Sequence, residues 1–226
     1  MGISTVQGRN VTRSSTDMPA STSNTRLYVL TGATSGVGLH IARRLAREPG
    51  VEIIAGARSP GRTDALRAAV PAGRLSVLPL DLADLASVRT FADAVVARLG
   101  DEGQLAGVVC NAGLQILGPK QMTTDGVEAT FGTNHLGHYV LVERLLDRLV
   151  PGAVVTTTGS GTHNPDEKLA TTAGFRGAVF RDAATVASGD LGPPGSELER
   201  ALDRYATSKL CNILHVRALA ARVPED

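Results

Sequence analysis

From residue 26 onward, short apolar segments alternate with longer segments whose apolar residues recur at helical spacing. The short segments are rich in Val, Ile and Leu and cover residues 27–31, 51–56, 74–78, 105–110 and 153–158. Strands that are apolar throughout are buried on both faces, as in a parallel sheet covered by helices. The alternation therefore predicts an α/β fold built on a doubly wound, Rossmann-type parallel sheet.

The segments between these strands predict helices and two long loops. Helices are expected over residues 38–47, 84–99, about 124–149 and about 197–222. The loops, residues 111–123 and 159–196, follow the fourth and fifth strands. In open α/β sheets the ligand crevice lies where loops leave the carboxyl ends of the strands, and long irregular loops are usually functional. We therefore expect both loops to border a binding site.

Length and charge exclude several classes of protein. The chain has 226 residues and a formal net charge of +1, which suits one globular domain and gives no basis for binding nucleic acid. No run of 18 apolar residues is present, so no membrane span is expected. Cys110 and Cys211 lack a second Cys or a His at metal-ligand spacing. They are interpreted as reduced core residues, which favours a cytoplasmic location.

Residues 1–25 form a segment distinct from the predicted domain, residues 26–226. Ten of the first 26 residues are Ser or Thr, and one is acidic. A segment with so little apolar content cannot bury enough surface to fold, so a disordered tail is predicted. A transit peptide has a similar composition and is the alternative interpretation.

The first predicted strand runs into the stretch TGATSGVG, residues 31–38. Glycines between a strand and a helix let the backbone approach a pyrophosphate, which binds the amides at the helix N-terminus. A tight strand-to-helix turn is the alternative, but the position between strand and helix favours dinucleotide binding. The expected contacts in this loop are Gly32, Thr34, Ser35, Gly36, Val37 and Gly38.

The end of the second predicted strand distinguishes between the two nicotinamide dinucleotides. It carries no carboxylate for the ribose hydroxyls of NAD, whereas Arg58 is placed to pair with the 2′-phosphate of NADP. A solvated Arg is the alternative. The pattern favours NADP over NAD as the cofactor.

The third and fourth predicted strands end in further candidate cofactor contacts. Asp81 and Leu82 follow the third strand, where Asp81 is expected to bond the adenine amino group or nearby backbone. Asp81 could instead cap the next helix, although Asp84 is the better cap. After the fourth strand, small residues leave room for a cofactor, and an Asn side chain there can tie neighbouring loops together. These residues are Asn111, Ala112 and Gly113.

Four motifs in a fixed order resemble the short-chain dehydrogenase/reductase family over about residues 26–222. They are TGATSGVG, the NAG of residues 111–113, a Ser after the fifth strand, and YATSK at residues 205–209. The sequences SGTHNP (160–165), TNHLGHYVL (133–141) and YATSKLCNIL (205–214) are similar to one branch of that family. This branch contains light-dependent protochlorophyllide reductases and retinol-dehydrogenase-like enzymes, and the long insertion before the Tyr also suits it. The resemblance implies an NADP-dependent oxidoreductase that transfers hydride between the nicotinamide and a carbonyl/alcohol pair on a small, apolar or bulky substrate.

The spacing of Tyr205 and Lys209 itself indicates proton chemistry. Residues four apart on a helix share a face, and an ammonium favours the ionised form of a neighbouring phenol. Such a Tyr can exchange a proton with a substrate oxygen. The resemblance implies that Tyr205 is the acid/base and that Lys209 also holds the nicotinamide ribose. It further implies that Ser160 polarises the carbonyl and that Asn134 anchors a proton-relay water.

Some neighbouring residues leave alternatives open. If the match to the family after the fifth strand is shifted by two residues, Thr158 takes the place of Ser160. Asn134 could be a solvated helix residue. His135, His138 and His163 suggest a metal site, but their spacing lacks a third ligand on the same surface, so no metal is predicted.

The chain ends soon after the Tyr-Lys helix, with residues 210–226 remaining. In the family that it resembles, further strands follow this helix, so we expect the C-terminal strands of the sheet to be missing and interpret the chain as a fragment of a longer enzyme. The alternatives to a carbonyl/alcohol enzyme are a carbon-carbon double-bond reductase and a non-catalytic, NADP-binding regulatory or scaffold protein. The resemblance also implies a homo-dimer or homo-tetramer that pairs through the long helix and the Tyr-Lys helix.

Overall fold

The computed structural model describes residues 25–59, 61, 63–192 and 195–222. Five parallel strands form one sheet in the order β3-β2-β1-β4-β5. The strands are β1 (Arg26–Thr31), β2 (Val51–Ala57), β3 (Leu75–Pro79), β4 (Leu105–Cys110) and β5 (Leu149–Thr157). The order in which successive strands are added to the sheet reverses between β1 and β4, which is where such sheets bind their ligands. The predicted tail lies outside the described residues, apart from its last residue.

Eight α-helices lie in the described part of the chain. They are α1 (Gly36–Leu45), α2 (Asp64–Ala69), α3 (Leu85–Leu99), α4 (Ala129–Phe131), α5 (Gly137–Leu145), α6 (Lys168–Thr172), α7 (Ala183–Ser188) and α8 (Glu197–Ala220). A π-helical turn, Gly132–Leu136, joins α4 to α5, and 3-10 turns cover Leu146–Arg148 and Gly161–His163. No helix among the described residues is both long and apolar enough to cross a bilayer.

Both faces of the sheet are buried along β1, β2 and β4, as the apolar strands predict, whereas the edge strand β5 is partly exposed. Neighbouring residues on one strand point to opposite sides, so Ile54 packs in a cluster with Phe91 of α3 and Leu141 of α5. Ile53 packs instead with Leu66 of α2 and with residues of α1. The doubly wound α/β fold is therefore confirmed.

The predicted long helix and fifth strand differ in their boundaries. The helix begins at Ala129 rather than 124, because the buried carboxylate of Glu128 caps it by accepting from the amides of Thr130 and Phe131. Strand β5 begins four residues early, at Leu149, and includes Pro151. A Pro lacks an amide donor, yet an edge strand tolerates it, and β5 is at the edge of this sheet.

Candidate active site

A cavity of about 510 Å³ opens at the carboxyl ends of β1, β2 and β4 and reaches α8. Of the residues predicted from the sequence, thirteen line it: Gly32, Thr34, Ser35, Val37, Gly38, Arg58, Asp81, Leu82, Asn111, Ala112, Gly113, Tyr205 and Lys209. Gly36, Asn134 and Ser160 are outside this lining. The lining also contains Thr158, the alternative to Ser160, and seven residues that were not predicted as site residues: Thr31, Gly56, Ala57, Leu80, Leu114, Gln115 and Thr133.

The glycines of the first loop are required by close backbone packing. A Cβ atom on Gly32 would lie 2.8 Å from the Cα of Ala112, and the backbone there has a φ of +66°. A Cβ on Gly38 would collide with the carbonyl oxygen of Gly32 and with the side chain of Asn111. Gly36 has a φ of +52° but has no atom within 4 Å of its Cβ position. The loop is thus packed tightly against the chain after β4 and stays open at Gly36, where α1 begins.

The N-terminus of α1 is suited to an anionic group. Ser35 is its N-cap residue but makes no side-chain capping bond, and the first turn contains no acidic residue. The first amides of a helix lack partners within the helix, and the helix dipole makes this end positive. Open space at Gly36 and uncapped amides together fit a pyrophosphate.

A buried hydrogen-bond network joins the two loops below this cavity. The hydroxyl oxygen of Thr31 accepts from the amides of Asn111 and Ala112, at 3.0 Å each. It lies 2.8 Å from Nε2 of His138, whose Nδ1 is 3.1 Å from the carbonyl oxygen of Asn134. A carbonyl only accepts, so Nδ1 carries the proton and the Thr31 hydroxyl donates to Nε2. Burial lowers the pKa of His138 to about 4, which keeps the ring neutral as this pattern requires.

The Asn111 side chain reinforces the same junction. Its amide nitrogen donates to the carbonyl oxygens of Thr31 and Gly32, at 3.2 Å each. The side chain therefore ties the two loops together, as its position after β4 predicts.

Two charged residues of the cavity, Arg58 and Asp81, follow β2 and β3, at the opposite side of the sheet from β5. Arg58 is exposed and follows β2, where no carboxylate is present among residues 56–59. Asp81 accepts from the amide of Ala83 at 2.9 Å, and Asp84 caps α3 by accepting from Ala86 and Ser87. Asp84 is therefore the helix cap, which leaves a carboxylate oxygen of Asp81 for a ligand.

Helix α8 carries Tyr205 and Lys209 into the cavity. A reciprocal capping box between Ser196 and Glu199 fixes its first turn. The Lys209 Nζ lies 5.5 Å from the centre of the Tyr205 ring and donates to the carbonyl oxygen of Thr158, 3.2 Å away. Burial lowers the pKa of Lys209, because removal from water disfavours the ammonium.

A buried ion pair beside Tyr205 was not foreseen from the sequence. Arg204 and Glu128 are both almost completely buried, and the Arg204 Nε lies 3.8 Å from a Glu128 carboxylate oxygen. An Arg204 Nη also donates to Glu197 at 3.1 Å and to the carbonyl oxygen of Gly118 at 3.2 Å. These bonds hold α8 against the loop after β4 and so fix the position of Tyr205.

Asn134 and Ser160 flank the cavity. The Asn134 side chain accepts from the amide of Leu114 at 2.7 Å and donates to the Leu114 carbonyl oxygen at 2.9 Å and to the Ser208 hydroxyl at 3.1 Å. It is buried, so it is not a solvated helix residue. Ser160 is half-buried at the start of a 3-10 turn, where its hydroxyl oxygen lies 3.1 Å from that of Thr162.

The three histidines considered as metal ligands have other partners. His138 bonds to Thr31 and to Asn134, His163 contacts the Ser160 carbonyl oxygen at 2.5 Å, and His135 contacts the Asn212 side chain at 3.1 Å. Within the described ranges, no group of three His, Cys, Asp or Glu residues could hold a metal ion. Both cysteines are free and buried, and burial raises the pKa of Cys110 to about 12 and that of Cys211 to about 11.

A family model and individual relatives both match this chain and indicate the same protein family. The family model for short chain dehydrogenase matches residues 26–171. The short-chain dehydrogenase/reductase drtF of Aspergillus calidoustus is 36% identical over 211 residues, covering 86% of this chain and 59% of that protein. A protochlorophyllide reductase of Avena sativa is 33% identical, covering 88% and 67%, and the retinol dehydrogenase 12 of Mus musculus is 33% identical, covering 88% and 57%.

Solved structures share the same architecture. An uncharacterized protein from Mycobacterium paratuberculosis has a TM-score of 0.67 and 33% identity, covering 87% of this chain and 62% of that one. A short chain dehydrogenase from Burkholderia cenocepacia J2315, solved in complex with NADP, has a TM-score of 0.61 and 25% identity, covering 87% and 68%. This chain thus spans about three-fifths to two-thirds of the length of these relatives. The chain belongs to the short-chain dehydrogenase/reductase family, and its relatives include the protochlorophyllide reductases and retinol dehydrogenases that its motifs resemble.

Proposed function

We propose that this chain carries the cofactor site and the acid/base pair of an NADP-dependent oxidoreductase acting on a carbonyl/alcohol pair. The observation that carries the proposal is that Tyr205 and Lys209 line the same cavity as the glycine loop and the chain after β4. A single cavity therefore holds a proton donor beside a site that fits a dinucleotide. The substrate is expected to be apolar or bulky.

In this reaction a carbonyl carbon gains a hydride and its oxygen gains a proton. The nicotinamide supplies the hydride when the dinucleotide is bound. The Tyr205 hydroxyl donates the proton to the substrate oxygen, and in the reverse direction it accepts the proton from the alcohol. The Lys209 ammonium, 5.5 Å from the centre of the Tyr205 ring, would stabilise the phenolate that is left when Tyr205 has lost its proton, and it is proposed to bind the nicotinamide ribose.

Ser160 and Asn134 are proposed to assist this step. The Ser160 hydroxyl would donate to the carbonyl oxygen and so stabilise the negative charge that develops there. For Asn134, the support is its proximity to Lys209. A Cβ on Gly113 would lie 3.2 Å from the Asn134 Oδ1 and 3.5 Å from the Lys209 Nζ, so the two side chains approach one point. We propose that a proton-relay water binds there.

The preference for NADP rests on Arg58. Its guanidinium is exposed beside the cavity and is suited to a bidentate contact with a phosphate. Residues 56–59 offer no carboxylate to the ribose hydroxyls of NAD.

A second candidate function is reduction of a carbon-carbon double bond. The observation that favours it is the 33% identity to a protochlorophyllide reductase over 217 residues. In that reaction Tyr205 would deliver its proton to carbon rather than to oxygen. The third possibility, a regulatory or scaffold protein that binds NADP without turnover, predicts no product in any assay.

Assembly and location remain predictions. A homo-dimer or homo-tetramer is proposed to form through α5 and α8, where Tyr139 and Leu214 are 41% and 40% exposed. A cytoplasmic location is proposed from the reduced, buried cysteines.

The test of the proposed function uses the full-length protein that carries this sequence. Calorimetry with NADPH and NADH measures cofactor affinity, and the absorbance of NADPH then reports turnover with a panel of aldehydes and ketones. Tight NADPH binding and NADPH-dependent production of alcohol are expected. NADPH binding with no reduction of any carbonyl compound would contradict the proposed reaction.

A further inference from the structure

Phe175 lies against the ring of Tyr205 from the long segment between β5 and α8. The two ring centres are 6.0 Å apart, and the ring planes are inclined by 49°. Phe175 is only half-buried, and it is not a member of the apolar clusters that pack the described part of the chain. Its ring is therefore not explained by core packing.

The residue after Phe175 anchors the segment to α8. The Arg176 guanidinium makes two bonds to the Asp203 carboxylate, with an Nη2–Oδ2 distance of 2.5 Å and an Nε–Oδ1 distance of 3.3 Å. The Asp203 side chain has no exposed surface, and Asp203 lies two residues before Tyr205 on the same helix. A two-point contact of this kind fixes orientation as well as distance.

A second anchor, Val179, lies three residues after Arg176. The Thr207 hydroxyl accepts from the amide of Val179 at 2.9 Å and donates to the carbonyl oxygen of the same residue at 3.2 Å. Between the anchors, Gly177 has a φ of +91°, a conformation that other residues rarely adopt. Thr207 lies two residues after Tyr205, so the two anchors bracket the Tyr and hold Phe175 beside it.

The position of Phe175 relative to the cavity indicates its role. Tyr205 lines the cavity with the glycine loop, whereas Phe175 is outside that lining and still contacts Tyr205. A substrate oxygen must reach the Tyr205 hydroxyl from space that the dinucleotide leaves free. We propose that Phe175 forms an apolar wall of the substrate site and selects carbonyl compounds that carry a flat or bulky apolar group next to the carbonyl. This inference rests on the proposed function.

The chemistry of the ring supports that selection. Aromatic pairs prefer offset or edge-to-face contacts with ring centres 4.5–7 Å apart. A half-exposed Phe ring in a held segment offers such a contact to a substrate at little entropic cost, because its backbone is already fixed. A small polar carbonyl compound gains nothing from it.

The test measures kcat/KM with NADPH for propanal, benzaldehyde and 2-naphthaldehyde in the full-length protein. Phe175→Ala should lower kcat/KM for 2-naphthaldehyde by about tenfold, mainly through KM, and change the value for propanal by less than about threefold. Phe175→Leu should give kcat/KM values between those of the wild type and of Phe175→Ala, and it serves as a second variant in case Phe175→Ala fails to fold. Phe180→Ala is the matched control, because Phe180 is 47% exposed in the same segment. It should leave all three values near those of the wild type.

Two results overturn the inference. If Phe175→Ala leaves the ratio of kcat/KM between 2-naphthaldehyde and propanal unchanged, Phe175 does not select substrates, and wild-type turnover would still support the proposed function. If the wild type binds NADPH but reduces none of the aldehydes, the proposed function fails and the inference fails with it.

Discussion

The Lys209 ammonium lies 5.5 Å from the centre of the Tyr205 ring, in a cavity that also contains the glycine loop after β1. A hydrogen bond to the carbonyl oxygen of Thr158, 3.2 Å away, holds the ammonium there. Because that carbonyl belongs to the residue directly after β5, the sheet and α8 set the geometry of the pair together. The consequences for activity, cofactor choice and stability can each be measured.

Replacement of Tyr205 by Phe should remove the proton donor and leave the ring in place. Positioned acid/base groups contribute about 10²- to 10⁴-fold to rates, so kcat for carbonyl reduction should fall by that factor. The Kd for NADPH, measured by calorimetry, should change less than about threefold. A Phe variant with wild-type kcat would contradict the role of Tyr205.

Replacement of Lys209 by Met should weaken cofactor binding as well as turnover. The Met retains the apolar stem of the buried Lys but removes the ammonium and its bond to Thr158. We expect kcat to fall at least tenfold and the Kd for NADPH to rise, as measured by steady-state kinetics and calorimetry. Lys168→Met, at the start of α6, is the matched control and should leave both values unchanged. Unchanged NADPH affinity in the Lys209 variant would contradict a contact between Lys209 and the cofactor.

Arg58 should determine the choice between the two dinucleotides. Hydrogen bonds to charged groups contribute about 1.5–3 kcal/mol, so Arg58→Ala should raise the Kd for NADPH by about tenfold or more. The Kd for NADH should stay within about twofold, because the contact involves only the 2′-phosphate. Arg89→Ala, on the exposed face of α3, is the control variant. An equal loss of affinity for both dinucleotides would argue against a phosphate contact.

Thr31 should stabilise the junction between the loops that follow β1 and β4. Thr31→Val keeps the shape of the side chain but leaves the amide of Ala112 and the Nε2 of His138 without their partner, whereas the Asn111 amide keeps its bond to the carbonyl oxygen of Val109. Each unsatisfied buried group costs about 1–3 kcal/mol, so the free energy of unfolding should fall by roughly 2–6 kcal/mol. Urea unfolding measures this loss, and Thr31→Ser should restore most of it. Equal stability of the Val and Ser variants would contradict the network.

Stability should fall when the pH drops below about 6.5. Burial lowers the pKa values of His135 and His138 from 6.5 to about 4. Between these values the unfolded chain binds more protons than the folded one, so the free energy of unfolding rises with pH across pH 4–6.5. Urea unfolding at pH 5.0 and 7.5 measures the difference, which should be smaller in His138→Gln. The exposed His40 provides the control, because His40→Gln should keep the wild-type difference.

The strands and the glycine-containing turn after β1 could be predicted from the sequence because they depend on local patterns. Continuous apolar segments mark strands buried on both faces, and glycines between a strand and a helix mark a phosphate loop. The short helices α6 and α7 were not predicted. Each depends on one capping carboxylate, from Glu167 or Asp182, in a segment too short to show helical periodicity.

Contacts between distant residues were beyond sequence reasoning. Thr31 and His138 are 107 positions apart, and only the packing of the helix after the π-helical turn against the strand ends brings them to 2.8 Å. The approach of Phe175 to Tyr205 likewise depends on the Arg176–Asp203 pair, whose members are 27 residues apart. Local periodicity contains no information on such pairs, so they required the structure.

Transfer of deuterium from labelled NADPH tests the central claim most directly. The full-length protein would be incubated with an aldehyde and NADPH deuterated at the 4R or the 4S position, and the alcohol analysed by mass spectrometry. The account predicts one deuterium on the carbinol carbon from one of the two labelled cofactors and none from the other. Alcohol that contains no deuterium from either cofactor, or no alcohol at all despite NADPH binding, would contradict hydride transfer at this site.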